Sequence, residues 1–333
     1  MNKTLLILMI ALSSLMTYSQ PAVNYKFLKK IDLPGDGKWD YMSVDNDQDR
    51  LYVSHGDRVH VIDLLTDKPL MEWTGLENVH GVAVNSVAGK VYVANTGSNT
   101  VIIYDAKTFE KKATIELTGG KKPDCVLFDA FSQKLFVFCG KSNDVFIIDG
   151  ASDKVIATVP LGGQPEFACT DDKGLIYNNL EDKNEVVVID AKANKIVNRF
   201  SLGIGKAPTG IAIDKLNGRI MVACEESKKV VILSTTTGKV VATAPMGDKT
   251  DGLIYEQEFH LIITSDGSGS ATVIQQETPD KYNVIQTVKT RPGFKTISYE
   301  RKTHRFFITG AELDKDGKTP LPNTFGVYVS SPK

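Results

Sequence analysis

Residues 81–95 read GVAVNSVAGKVYVAN, an apolar run that ends in Asn85, then a turn, then a second apolar run that begins with a basic residue. The same pattern recurs at 41–55, 125–139, 167–179 and 210–224, and in more divergent form at 252–265 and 296–310. The residues that open the seven turns are 40 to 44 positions apart: Asp45, Asn85, Asp129, Asp171, Asp214, Glu256 and Glu300. The chain is therefore built from seven copies of one structural unit.

Each unit has a second half that also consists of strands and turns. Clear examples are 100–115, 144–159, 185–200 and 229–244, which are rich in Val and Ile and bounded by Asp, Asn, Gly or Thr. No window shows a sustained 3.6-residue period, so helices are expected to be nearly absent. Seven units of four short antiparallel strands predict an all-β, seven-bladed β-propeller, because a β-sandwich needs no regular period and an open solenoid needs capping units.

The two ends of the repeat region predict how the ring closes. Residues 25–33 form a strand before the first unit, and the last strand, in TFGVYVSSPK, has no partner after it. We expect the N-terminal strand to complete the last blade as its outer strand, which removes exposed sheet edges. Residues 312–323 then form a long loop within that blade, and residues 20–333 are a single propeller domain.

Residues 1–19 are predicted to be a signal peptide. Lys3 is followed by an apolar stretch at 5–16, which is shorter than the roughly 20 residues that a membrane-spanning helix needs. Thr17 and Ser19 before Gln20 are typical of a cleavage site. We therefore expect export to the periplasm or the extracellular medium, with no transmembrane segment in the mature chain. The four cysteines are expected to be buried apolar side chains, with one cross-strand disulfide possible.

The sequence Tyr92-Val93-Ala94-Asn95, followed by TGSNTV at 96–101, resembles the YVTN family of β-propeller repeats. This resemblance covers roughly residues 36–310 and implies an exported seven-bladed propeller of the surface-layer or YncE-like type. Propellers of similar shape include binding proteins, a lyase and lactonases, so the resemblance leaves the function open. The motif of this family closes with Asn, which the chain keeps at Asn95 and Asn179. Five other blades depart from the motif and carry a different residue at this position: His55, Cys139, Cys224, Ser265 and Gly310.

Polar residues recur at the channel mouth of the predicted propeller, where inner strands start and second strands end. The inner-strand starts are Asp40, His80, Asp124, Glu166, Thr209, Asp251 and Lys295, and the second strands end at His55, Asn95, Cys139, Asn179, Cys224, Ser265 and Gly310. We predict a ligand site formed by Asp40, His55, His80, Asn95, Asp124, Glu166, Asn179, Asp251 and Lys295. The oxygen-rich donors with one imidazole suit a divalent cation, held by Asp40, His80, Asp124, Glu166 and Asp251. Solvated strand ends around a water-filled channel are the alternative interpretation.

Two functions fit this prediction. The first is an exported binding protein that holds a small molecule, a glycan, a metal ion or a protein partner at the mouth. The alternative is a divalent-metal-dependent lyase or hydrolase, so the sequence leaves open whether the protein is an enzyme. Without residues 1–19 the chain has 38 basic and 40 acidic side chains, a net charge of −2, which argues against nucleic-acid binding. We expect a monomer. A divalent cation is the one cofactor that the residues suggest.

The remaining side chains near the mouth allow two interpretations. Trp39, Tyr41 and Phe294 neighbour the mouth positions and either stack on a flat ligand or, as is more common, pack between blades. His60 lies within a strand, so it is expected to be a packed side chain.

Overall fold

A computed structural model describes residues 23–333 as seven four-stranded antiparallel sheets arranged in a ring. The predicted all-β, seven-bladed propeller is confirmed. Within the described residues there are 28 strands, and no helix is long and apolar enough to cross a membrane. The predicted signal peptide at 1–19 lies outside the described residues.

The strands of each blade run outward from the central channel in chain order. Blade one contains β2 (Trp39–Asp45), β3 (Arg50–His55), β4 (Arg58–Asp63) and β5 (Lys68–Trp73). Blade two contains β6 (Val79–Asn85), β7 (Lys90–Asn95), β8 (Thr100–Asp105) and β9 (Lys111–Glu116). Blade three contains β10 (Pro123–Asp129), β11 (Lys134–Cys139), β12 (Asp144–Asp149) and β13 (Lys154–Pro160). Blade four contains β14 (Pro165–Thr170), β15 (Leu175–Leu180), β16 (Glu185–Asp190) and β17 (Lys195–Ser201).

The last three blades follow the same order until the ring closes. Blade five contains β18 (Pro208–Asp214), β19 (Arg219–Cys224), β20 (Lys229–Ser234) and β21 (Val240–Pro245). Blade six contains β22 (Thr250–Glu256), β23 (Leu261–Asp266), β24 (Ser270–Thr278) and β25 (Lys281–Lys289). Blade seven contains β26 (Lys295–Glu300), β27 (Arg305–Gly310), β28 (Gly326–Pro332) and, as its outer strand, β1 (Tyr25–Asp32).

The ring closes as the chain ends predict. β1 pairs antiparallel with β28, with Tyr25 opposite Pro332 and Asp32 opposite Gly326. Each innermost strand contacts the innermost strand of the next blade, and β26 of blade seven contacts β2 of blade one. The segment between β27 and β28 is a long loop with a single bridge between Leu313 and Pro320. The polar inner-strand starts of all seven blades therefore surround one channel.

The residue that opens each inner turn, an acid in six blades and Asn85 in blade two, has a local structural reason. The Asp45 carboxylate accepts hydrogen bonds from the backbone N–H groups of Asp47 and Gln48, and Asp214 does the same for Leu216 and Asn217. A side chain that bonds to the backbone two and three residues ahead stabilises a tight turn. The repeated acid that reveals the period in the sequence is therefore a turn residue, on the face opposite the mouth.

The basic residue that begins the second strand in five blades joins neighbouring blades. Arg305 of blade seven donates to both carboxylate oxygens of Asp67, at 3.0 and 2.9 Å, and to the backbone oxygen of Leu64 at 2.8 Å, in the outer turn of blade one. It also pairs with Glu300 at 2.6 Å. Equivalent links run from blade to blade through Arg50, Lys90, Lys134 and Arg219. Blades four and six carry Leu175 and Leu261 at this position.

The hydrophobic core lies between adjacent blades. Trp73 on the outer strand of blade one is buried and stacks on Tyr52 and Tyr104, while its indole N–H donates to the backbone oxygen of Phe109 at 2.9 Å. All four cysteines are free thiols, so the possible disulfide does not form. Cys125, Cys139 and Cys224 are buried as expected, whereas Cys169 is only partly buried and departs from that prediction. Cohesion between blades therefore comes from packing and from the basic links.

Candidate functional site

The innermost strand of each blade begins with an equivalent residue at the channel mouth. Lys295 is the first residue of its strand, and the other six are the second residue of theirs: Asp40, His80, Asp124, Glu166, Thr209 and Asp251. The hydrogen-bonding register of every inner hairpin shifts around this position. A bulge of this kind redirects a side chain, and bulges are common next to functional sites.

The second-strand ends differ from the sequence alignment in two blades. Pro165 pairs with Leu180 in blade four, and Thr250 pairs with Asp266 in blade six, so Asn179 and Ser265 lie one position inside the strand end. The sequence pattern predicted these two residues at the strand ends, and that prediction is wrong by one position. In blade four the inner turn has one residue fewer between Asp171 and β15, which shifts the whole second strand.

Three predicted ligand residues are buried and bonded within the protein. Asn95 accepts from the backbone N–H of Glu77 at 2.6 Å, and Asn179 donates to the backbone oxygen of Thr209 at 2.6 Å. His55 is fully buried, and its ring lies 3.2 Å from the ring of His60, measured between Nδ1 and Nε2. These contacts leave the central mouth to the inner-strand residues.

Asp40, His80 and Asp124 of blades one, two and three meet in one cluster. Their ligand atoms lie within 4.8 Å of one another. Nδ1 of His80 is 2.9 Å from Oδ1 of Asp124 and forms an ion-pair contact with Asp40 as well. One imidazole nitrogen therefore lies between two carboxylates. Within the described residues, this is the group of side chains that is suited to hold a metal ion.

Gly81 allows this approach. A β-carbon at position 81 would lie 2.4 Å from the backbone oxygen of Asp124 and 2.8 Å from the backbone nitrogen of Val126. Any other residue would push the inner strands of blades two and three apart. The glycine next to His80 is therefore part of the reason that His80 reaches Asp124.

Two residues that the sequence analysis did not select complete the cluster. Nζ of Lys122 lies 2.6 Å from the second oxygen of Asp124, and the Asn78 amide lies 3.1 Å from Nε2 of His80. Both residues lie in loops just before an inner strand and have left-handed φ angles of 58° and 51°. The basic pair at 121–122 directly before Pro123 was the available sequence signal for Lys122.

The pKa values in the cluster follow from burial and from these close charges. Burial alone would lower the pKa of His80, but hydrogen bonding to Asp124 and Asp40 raises it to about 9. Burial alone would raise the pKa of Asp124, but His80 and Lys122 hold it below its usual range. The metal-free cluster therefore contains an imidazolium between two carboxylates at neutral pH.

Glu166 and Asp251 lie at the mouth but outside the three-residue cluster. Burial and the nearby carboxylates of Asp124 and Glu181 raise the pKa of Glu166 to about 8. Burial also raises the pKa of Asp251, and its Oδ2 has no hydrogen-bond partner among residues 23–333. Of the five residues predicted to hold a metal ion, three side chains therefore converge, and the carboxyl groups of Glu166 and Asp251 lie apart from them.

Lys295 connects the cluster to a cleft beside blades five to seven. Its Nζ is 3.9 Å from Asp40, and Asp251 and Asp40 raise its pKa although burial opposes this. The cleft has a volume of about 550 Å³ and is lined by Asp251, Lys295, Glu225 and Lys249 among others. Both signs of charge therefore face a space that is large enough for a small molecule.

The aromatic residues near the mouth pack inside the protein. Trp39, Tyr41 and Phe294 are all buried. Their rings contact Phe325, Phe167 and Tyr328, with centroid distances of 5.3, 4.4 and 4.2 Å. These aromatics stabilise the blade interfaces, and the side chains that face the mouth are charged and polar.

Comparisons with known proteins show the fold. No family model matches the chain, and no curated protein sequence matches it. The RRP9 WD40 repeats superpose with a TM-score of 0.76 at 10% identity, covering 93% of this chain and 100% of that one. A chain of the mitotic checkpoint complex superposes with a TM-score of 0.75 at 13% sequence identity, and the match covers 99% of each chain. Hydrazine synthase from Kuenenia stuttgartiensis superposes with a TM-score of 0.73 at 16% sequence identity, and the match covers 89% of this chain and 96% of that one. Identities this low establish a WD40-like propeller fold and transfer no activity.

Proposed function

We propose that this protein is a binding protein that holds a divalent metal ion at the channel mouth, together with a small acidic ligand. The single observation that carries the proposal is the convergence of Asp40, His80 and Asp124, from three different blades, within 4.8 Å. Two oxygen donors and one nitrogen donor suit a hard or borderline cation such as Mn²⁺ or Zn²⁺. The Asn78 amide lies 3.1 Å from the second ring nitrogen of His80, and with its oxygen turned toward the ring it would accept the Nε2 proton that a ligating imidazole carries.

The surrounding cations support an acidic ligand. Lys122 and Lys295 flank the cluster on two sides, and both ammonium groups can donate to a carboxylate or phosphate bound to the metal. The adjoining cleft of about 550 Å³ provides space for the rest of such a molecule. Binding requires no step beyond docking onto a rigid ring of inner strands.

Metal titration of the chelator-treated protein tests this proposal. Isothermal titration calorimetry with Mn²⁺ and with Zn²⁺ should show one site in the wild type. Asp40→Asn and His80→Gln should each weaken binding at least roughly tenfold, because each removes one of three ligands. Asp248→Asn is the matched control, since it removes the same charge from the mouth face but from an exposed pair with Lys228.

The outcomes separate a specific site from general acidity. Unchanged affinity in Asp248→Asn together with losses in the two cluster variants supports the proposal. Absence of binding of either ion to the wild type, or equal losses in all three variants, contradicts it.

A metal-dependent lyase or hydrolase is the second candidate, and the state of Glu166 favours it. Burial, and after it the nearby Asp124 and Glu181 carboxylates, raises the pKa of this carboxyl group to about 8 in the metal-free protein, so its buried position favours the protonated form that a general acid needs. A panel of small esters and lactones should be turned over by the Mn²⁺-loaded wild type, while Glu166→Gln retains the metal and loses turnover. Turnover that survives in Glu166→Gln contradicts this assignment.

We also propose that the protein is exported and is a YVTN-type repeat protein. The apolar segment at 5–16 supports export, and the position of Tyr92–Asn95 at the end of β7, before a hairpin at 96–99, fits the repeat. Mass spectrometry of the protein from cell fractions should find a new N-terminus at Gln20 outside the cytoplasm. A full-length cytoplasmic protein would contradict export.

A further inference from the structure

Four carboxyl groups form an acidic arc at the channel mouth, on blades four to six. The members of this acidic arc are all partly buried: Glu166, Glu181, Glu225 and Asp251. Glu166 and Asp251 lie at inner-strand starts, while Glu181 and Glu225 directly follow the second strands of blades four and five. None of the four forms an ion pair within residues 23–333. The protein therefore leaves the acidic arc without a paired cation.

The carboxyl groups of the acidic arc lie close enough to affect one another. The Gln164 side-chain amide donates to Oε2 of Glu181 at 2.6 Å and to Oε1 of Glu166 at 3.3 Å. Burial raises the pKa of Glu166, Glu225 and Asp251, and in each case other carboxylates of the mouth act in the same direction. A cation that enters the acidic arc relieves this repulsion, so the arc is suited to an ammonium group.

Two members of the acidic arc, Glu225 and Asp251, line the cleft of about 550 Å³. The Glu225 carboxylate has no hydrogen bond within the described part of the chain. Lys295 and the backbone N–H of Thr296 favour the charged form of Asp251, but its Oδ2 has no hydrogen-bond partner in residues 23–333. Because a carboxylate offers about four acceptor positions, both groups can accept further hydrogen bonds from a ligand.

The cations of the mouth lie on the other side, at blades seven and one to three. Nζ of Lys122 is 2.6 Å from Asp124, and Nζ of Lys295 is 3.9 Å from Asp40. With a divalent ion at the cluster, the metal and the two lysines outweigh the two aspartates in charge. The mouth then has a positive side and an acidic side, which together orient a molecule that carries both charges.

We propose that the ligand of the mouth is an amino-carboxylate, whose carboxylate binds to the metal ion and Lys295 and whose ammonium group binds to Glu225 and Asp251. This inference rests on the proposed function, because the metal ion holds the carboxylate end. An ammonium group donates three hydrogen bonds, which two carboxylates can accept. A simple carboxylate leaves the acidic arc unpaired, and a dicarboxylate is repelled by it, so the arc selects the amine.

Titration of the Mn²⁺-loaded wild type with matched ligands tests this proposal. The ligands are 6-aminohexanoate, hexanoate and adipate, which share one carboxylate and a six-carbon chain and differ at the other end. We expect 6-aminohexanoate to bind at least about tenfold more tightly than the other two. The four-carbon and eight-carbon sets are titrated in the same way, because the chain must span the two sides of the mouth.

Variants identify the groups that bind the ammonium. Glu225→Gln and Asp251→Asn should each reduce the preference for the amino-carboxylate over the simple carboxylate several-fold. Both should keep the wild-type affinity for Mn²⁺ and for the simple carboxylate, which shows that the mouth is intact. Glu226→Gln is the matched control, since it removes the same charge from the adjacent, exposed position of the same turn and should keep the preference.

The opposite results overturn the proposal. A Mn²⁺-loaded wild type that shows no preference at any chain length, or that prefers the dicarboxylate, contradicts the ligand class. A preference that persists in both cleft variants, or that falls equally in Glu226→Gln, assigns the effect to other groups. Absence of Mn²⁺ binding overturns the proposed function together with this inference, whereas Mn²⁺ binding without an amine preference overturns this inference alone.

Discussion

Replacing Glu166 with Gln should remove a large part of the dependence of stability on pH. The pKa of this carboxyl group is about 8 in the folded protein and near 4.5 in an unfolded chain, because burial and then Asp124 and Glu181 disfavour its charge. Between those values the folded protein holds a proton that the unfolded chain has released. Stability therefore falls as pH rises from about 5 to about 9, since the unfolded state binds fewer protons.

The size of the effect follows from the two pKa values. Their difference corresponds to about 5 kcal/mol at most. Water at the channel mouth and relaxation of the side chain reduce this, and we expect about 2 to 5 kcal/mol. Glutamine has nearly the same shape as a protonated glutamic acid but never ionises. The variant should therefore match the wild type near pH 5 and exceed it in stability by this amount near pH 9.

Urea unfolding at pH 5, 7 and 9 in the presence of a chelator measures the effect. His80, whose folded pKa is about 9 against 6.5 when unfolded, stabilises the metal-free protein below pH 6.5, and this contribution is lost as pH rises through 9. That contribution is present in both proteins and cancels in the comparison. Glu110→Gln, at an exposed position in the outer turn of blade two, is the control and should behave like the wild type. Equal losses of stability between pH 5 and pH 9 in Glu166→Gln and the wild type would refute the reasoning.

Two further predictions concern the ring and the thiols. Arg305→Met should lower the free energy of unfolding by about 3 to 5 kcal/mol, because it leaves the buried Glu300 without its cation and Asp67 with Lys29 alone at the junction of blades seven and one. The exposed Arg199→Met in blade four should change it by less than about 1 kcal/mol, and a similar loss in both would contradict the junction role. Cys125, Cys139 and Cys224 should react with a thiol reagent only after unfolding, because burial makes them inaccessible and raises the pKa of each thiol. Fewer than four thiols in the unfolded, unreduced protein would indicate a disulfide instead.

Local pattern was sufficient to predict the fold and the positions at the mouth. The turn-opening acids revealed the period because each one bonds to its own turn, and the lone strands at 25–33 and in TFGVYVSSPK predicted closure. The same pattern located Asp40, His80 and Asp124 at equivalent inner-strand starts. It failed by one residue in blades four and six. In blade four the turn is one residue shorter and changes the strand register. In blade six the turn has the usual length, and Asp266, ten residues after Glu256, is the equivalent of the strand ends elsewhere.

The sequence by itself determined the number of blades, the way the ring closes and which inner-strand residues face the channel, because these follow from a repeated local pattern. Only the tertiary structure decided which of them touch. Contact between His80 and Asp124 depends on the approach of two inner strands at Gly81, and Lys122 joins them from a loop. Such contacts depend on distances between separate parts of the chain, which a one-dimensional pattern does not contain.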